Sequence, residues 1–96
     1  MNQYLIYAFD STDEGALERR MKVRPLHFEM AGKLKAEGHF ILGGSILNEA
    51  GTMIGSTMIV QFENEQQLQS WLEVEPYIIH KIWERFEVRP FKVANV

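Results

Sequence analysis

An α+β fold, with one four-stranded antiparallel sheet that carries its helices on a single face, is what this sequence predicts, and three observations predict it. The chain has 96 residues, of which 46% are hydrophobic and 24% charged, which suits one compact domain spanning residues 1–96 and is too apolar for disorder. Segments rich in β formers alternate with segments of helical apolar spacing in the order β-α-β-β-α-β. Two helices cover only one face of a four-stranded sheet, so that order reads as the split βαβ, ferredoxin-like arrangement.

The first strand is Gln3-Tyr4-Leu5-Ile6-Tyr7-Ala8-Phe9, apolar at both alternating sets of positions, so it wants cover on both faces. Asp10-Ser11-Thr12-Asp13 breaks the pattern and offers helix caps. Residues 14–37 read as helical, with Leu17 and Met21 four apart on the first part. Pro25 lacks an N–H and disfavours helix at Arg24, which predicts an interruption and a fresh helix starting at Pro25. Beyond it His27, Met30, Ala31 and Leu34 form one face, and Gly38 is the expected stop.

Residues 39–47 read as the second strand, with Gly43-Gly44 marking a bulge or a close backbone approach. Asn48-Glu49-Ala50-Gly51-Thr52 is a hairpin turn, and Met53 to Glu63 is the third strand. Asn64-Glu65 starts a second helix with Leu68, Trp71 and Leu72 as its stripe. Glu75-Pro76-Tyr77 interrupts it, residues 77–82 read as a further helical turn, and the last strand runs over about 83–93. In that strand Phe86 and Val88 share one face, and Arg85, Glu87 and Arg89 the other. The uncovered sheet face then has to bury itself on something. A second copy of the chain is the simplest partner, which predicts a homodimer with the sheets packed face to face.

Composition removes several classes of chemistry. There is no cysteine, which excludes disulfides, thiolate catalysis and zinc–thiolate sites and makes the cytoplasm the default compartment. The formal net charge of −3 opposes non-specific nucleic-acid binding. No apolar run approaches the roughly 18–20 residues of a membrane span, and Met1-Asn2-Gln3-Tyr4 opens no secretory signal. No phosphate loop, dinucleotide fingerprint or local metal-ligand spacing is present, so no cofactor or metal is expected.

The polar candidates are His27, His39, His80, Arg24, Asp10, Ser45, Ser56, Glu75 and Tyr77. His27 lies on the apolar helix face, so its imidazole points toward the sheet. It is either a core histidine bonded to a carbonyl or a proton-transfer group of suitable basicity. Arg24, three residues earlier, is either a solvated arginine, a partner for Glu75, or a fork for a carboxylate or phosphate. Pro76 holds Glu75 in extended geometry, where it is either an exposed loop acid or a carboxylate that orients His27. The N–H groups of Gly43, Gly44 and Ser45 are available to a ligand oxygen, and Tyr77 is a further candidate for substrate contact. His39 and His80 read as structural or surface residues.

Four segments together resemble the YciI-like (YCII-related) family: Arg24-Pro25-Leu26-His27, the Leu34…Gly38…Leu42-Gly43-Gly44 stretch, Glu75-Pro76-Tyr77, and the ending Val88-Arg89-Pro90-Phe91. They cover nearly the whole chain in the right order. The resemblance implies a ferredoxin-like fold forming a dimeric α/β barrel, and a cleft between sheet and helices with a His and an Asp as the reactive pair. The His corresponds to His27. The Asp belongs to an Asp-Pro-Tyr-like motif that here reads Glu75-Pro76-Tyr77, and glutamate keeps the charge with one more methylene. The family's best-defined activity is that of a chlorinated-hydroquinone dehydrochlorinase, and related dimeric barrels include lactone isomerases and small monooxygenases.

The sequence therefore carries two functional readings. In the first, a small cofactor-free enzyme uses His27 as general base or acid, supported by Glu75. Arg24 and the Gly43–Ser45 segment steady a developing oxyanion, for elimination or isomerisation on a small cyclic or phenolic compound. In the second, the same pocket is a non-catalytic small-ligand-binding or accessory module.

Overall fold

The computed structural model describes residues 1–96. Its elements are β1 (Asn2–Asp10), α1 (Ala16–Ala36), β2 (Phe40–Leu47), β3 (Met53–Phe62), α2 (Glu65–Leu72), α3 (Pro76–Ile79) and β4 (Trp83–Phe91). All strand pairs are antiparallel, in the order β2-β3-β1-β4. This is the expected α+β, ferredoxin-like arrangement. No helix is long and apolar enough to cross a membrane.

The two-residue period of β1 and β3 builds the core. Tyr4, Ile6, Ala8 and Asp10 of β1, and Ser56, Met58, Val60 and Phe62 of β3, are all buried on the helix-bearing face. Leu34, Leu68, Trp71, Tyr77, Ile82 and Trp83 close over them. Each fully buried aliphatic chain contributes roughly 1.5–3 kcal/mol. The opposite face carries Leu5, Tyr7 and Phe9 beside Thr57 and Ile59, and Tyr7 remains 43% exposed.

Helix α1 differs from expectation in two ways. It runs unbroken through Pro25, where the sequence predicts an interruption. Pro25 withholds one N–H from the carbonyl of Met21, but both residues lie on the solvent side, where water takes the freed carbonyl. In addition, Leu17 and Met21 face outward, and the buried residues are Arg20, His27 and Leu34, one every seven positions.

The glycines also depart from the simple reading. The register shifts on β2 lie at Phe40/Leu42 and Ile46/Leu47, flanking Gly43-Gly44 rather than falling on it. The tightest backbone approach is at Gly55 of β3, where an added Cβ would sit 2.2 Å from the Ala8 carbonyl oxygen. Gly55→Ala is therefore expected to push β1 and β3 apart and cost about 2–3 kcal/mol, the upper part of the overpacking range. A fall of more than about 8 °C in Tm would register it, and an unchanged Tm would refute the contact.

Local chemistry fixes the connections. Asn48 Oδ1 accepts the N–H groups of Ala50 and Thr52, both at 3.0 Å, and Gly51 takes the left-handed backbone at φ 85°. Asn64 caps α2 by accepting from the Gln67 N–H at 2.9 Å, while Gln67 Oε1 accepts from the Glu63 N–H at 3.0 Å.

Candidate functional site

Between the inner face of α1, the α2–α3 corner and the β2–β3 edge lies a cavity of about 280 Å³. A larger groove of about 670 Å³ is lined by the exposed acids Asp13, Glu14 and Glu84, by the buried Asp10 and by apolar side chains, and has no histidine on its lining. The smaller cavity has His27 on its lining with Glu75 bonded behind it, which makes it the candidate site.

Glu75 is the anchor. It ends the α2 corner and caps α3, with Pro76 at the first helical position fixing φ. Its Oε1 accepts from the Tyr77 N–H at 3.2 Å and from His27 Nδ1, and the side chain is fully buried. The glutamate thus reaches the imidazole despite its extra methylene. The cap that α3 requires and the orientation of His27 come from the same oxygen atom.

His27, 8% exposed, is held on three sides. Nδ1 meets Glu75, the ring stacks on Tyr77 with centroids 4.0 Å apart and planes 12° apart, and Trp83 meets it edge-on at 6.3 Å. With Nδ1–H donating to the carboxylate, the neutral ring carries its lone pair on Nε2, and the one hydrogen bond of the side chain is through Nδ1. Tyr77 is fully buried, and burial raises its phenol above the ordinary value, while the Arg20 and Arg24 guanidinium groups pull the other way. The phenol stays neutral.

At the sheet end Arg20 is 2% exposed and pairs with Asp10 at 2.9 Å. Burial pushes the Asp10 carboxyl up, against the lowering effect of Arg20. Arg20 also donates to Ser56 at 2.6 Å and to Ser45 at 3.3 Å, and its guanidinium lies 4.8 Å above the Tyr77 ring. Arg24, half-buried at the cavity wall, stacks on Phe28 at 4.5 Å and is paired with no carboxylate. Its suggested pairing with Glu75 therefore does not form: the guanidinium lies over Phe28, and the Glu75 Oε2 atom is left without a partner.

The structure brings His27 and Arg24 of α1, Gly43, Gly44 and Ser45 of β2 and Tyr77 of α3 around one cavity, with Glu75 bonded to His27. His39 lies apart, donating from Nδ1 to the Gln61 carbonyl at 2.8 Å, and His80 is exposed at the end of α3. Sequence reasoning passed over Arg20. The signal was present in its seven-residue spacing from His27 and of His27 from Leu34.

Residues 3–92 match the YCII-related domain. The chain is 36% identical over 95 residues to "Protein YciI" of Escherichia coli O6:H1, covering 93% of this chain and 95% of that protein. An uncharacterised protein of Haemophilus influenzae is 34% identical over 96 residues, at 93% and 95% coverage. Among solved structures, 5-chloro-2-hydroxyhydroquinone dehydrochlorinase of Burkholderia phenoliruptrix AC1100, in complex with 2,5-dihydroxybenzoquinone, superposes with a TM-score of 0.80 at 25% identity, over 96% of this chain and 95% of that one. A dimeric ferredoxin-like protein of unknown function from Jannaschia sp. CCS1 shares the fold, with a TM-score of 0.61 at 12% identity, over 97% and 100% of the two chains.

Proposed function

The chain belongs to the YCII-related domain family, and on that footing we propose that it is an enzyme acting on a small cyclic or phenolic compound, with the His27–Glu75 pair moving the proton. The observation that carries this reading is the imidazole in the cavity wall, held by Glu75 through Nδ1 with the lone pair on Nε2. The structural likeness to a dehydrochlorinase supports the substrate class.

In the elimination reading, the bound ring compound reacts as its keto tautomer, in which a hydroxyl proton has moved to the chlorine-bearing carbon. Nε2 takes the proton of a second hydroxyl conjugated to that carbon, the electron pair left behind forms the second carbonyl and expels chloride, and the imidazolium formed is stabilised by the Glu75 carboxylate. The net loss is HCl, so no oxidant is needed. Arg24 and Ser45 face the same space and steady negative charge that develops on a substrate oxygen.

The test is chloride release from 5-chloro-2-hydroxyhydroquinone and from a panel of halogenated phenols, followed beside a His27→Gln variant. His27-dependent consumption supports the reading. Ligands that raise Tm yet are recovered unchanged across the panel replace it with a non-catalytic binding module.

The helix-free sheet face supports a homodimer, since Leu5, Tyr7, Phe9, Leu42 and Ile59 leave an apolar surface there. Ile59→Glu, which sets a charge on that face, is expected to give the monomer mass in sedimentation at concentrations where the parent protein is dimeric. A parent protein that sediments as a monomer removes the proposal.

A further inference from the structure

The floor of the cavity is a hydrogen-bond network whose polarity is fixed by its members. Arg20 and Trp83 are donor-only side chains. Arg20 Nη1 donates to both oxygens of Asp10, at 3.0 and 2.9 Å. Its Nη2 donates to Ser56 Oγ at 2.6 Å and to Ser45 Oγ at 3.3 Å, and Trp83 Nε1 adds a third donation, to Ser56 Oγ at 3.1 Å. A hydroxyl has two lone pairs and one proton. Ser56 has both lone pairs occupied by Arg20 and Trp83, so its proton has to point away from them. Ser45 accepts from Arg20, so its proton is also directed elsewhere. Both serines line the cavity, as does the guanidinium of Arg24, again donor-only. The carboxylate nearest them, Asp10, has each oxygen already committed to Arg20. At this end the serine and arginine side chains therefore present protons to the cavity, while the lone pair of His27 Nε2 lies elsewhere on its lining.

We propose that this floor is a subsite for an acceptor-only oxygen — a phenolate or enolate oxyanion, or a quinone carbonyl — bound by the hydroxyl protons of Ser45 and Ser56, with Arg20 the positioning residue that turns both protons toward the ligand. The inference rests on the cavity being the ligand site named above, and deepens it by stating which group is read. A cavity of about 280 Å³ lies just below the roughly 300–1,000 Å³ of drug-sized ligand pockets and suits a single ring. An arylamine is disfavoured at this subsite, because its N–H donors would face the O–H and N–H donors of Ser45, Ser56 and Arg24.

The experiment is equilibrium calorimetry with two probes of matched shape, pentafluorophenol, which is ionised at neutral pH, and pentafluoroaniline. The protein is expected to bind the phenolate at least tenfold more tightly than the amine. Ser45→Ala is expected to weaken the phenolate about tenfold, the scale of one hydrogen bond to a charged group, and to leave the amine unchanged. Ser45→Thr, which keeps the hydroxyl, is expected to restore phenolate binding. The proposal is overturned if the amine binds as well as the phenolate, if neither binds, or if Ser45→Ala leaves phenolate affinity intact. No turnover enters the measurement, so it separates from the catalytic reading. His27→Gln that abolishes consumption yet keeps phenolate binding supports this subsite. Turnover retained without preference for the phenolate defeats the subsite alone.

Discussion

His27→Ala is expected to lower kcat/KM on a turned-over phenolic substrate by about 10²–10⁴-fold, the usual contribution of a positioned general acid or base. The variant removes Nε2, the nitrogen that the Glu75 bond leaves with its lone pair. His27→Gln fills more of the space between Tyr77 and Trp83 and separates loss of chemistry from loss of packing. Glu75→Gln is expected to cost less, roughly 10–10²-fold. Its amide oxygen still accepts from Nδ1 and the Tyr77 N–H, but the negative charge that steadies the imidazolium is gone. Stopped-flow or steady-state rates decide the matter: consumption is lost in His27→Gln and persists, slowed, in Glu75→Gln. A His27→Ala rate within threefold of the parent would sink the mechanism.

The second large effect is on stability. Asp10→Ala strands the Arg20 guanidinium, 2% exposed, without its counter-charge, and is expected to cost about 3–5 kcal/mol in urea unfolding. The pair itself is not a source of net stability. Burial raises the Asp10 carboxyl, so between its ordinary and raised values the folded chain holds a proton that the unfolded chain has released. The contribution of this group therefore falls as pH rises through that window. The double variant Asp10→Asn with Arg20→Met removes both charges and is expected to recover at least half of the loss, because no lone charge remains buried. If Asp10→Ala unfolds within about 1 kcal/mol of the parent, the guanidinium has access to water and the donor network at the cavity floor loses its basis.

The two effects share one framework. A single helix, continuous through Pro25, carries Arg20 over the polar end of the sheet and Leu34 over its apolar end, with His27 between them. Its break at Pro25, as first expected from the sequence, would uncouple Arg20 from His27. The unbroken form sets both at fixed separation on one rigid face.

The sequence by itself determined the strand and helix order, the four-stranded sheet, the inward imidazole and the corner at Glu75-Pro76-Tyr77. Each of these follows from local chemistry: two-residue and helical apolar periods, a proline that restricts its predecessor, and an asparagine that caps. Tertiary structure alone decided that Arg20 is buried while Leu17 and Met21 are not. That outcome depends on which residues lie opposite the first half of α1. Those residues, Asp10 from β1, Ser45 from β2 and Ser56 from β3, are distant in the chain and meet only when the sheet forms. A charged side chain reads as solvated until a buried partner of opposite charge is in place. The same holds for Glu75, whose contact with His27 spans 48 positions of chain and exists because the α2–α3 corner closes over α1.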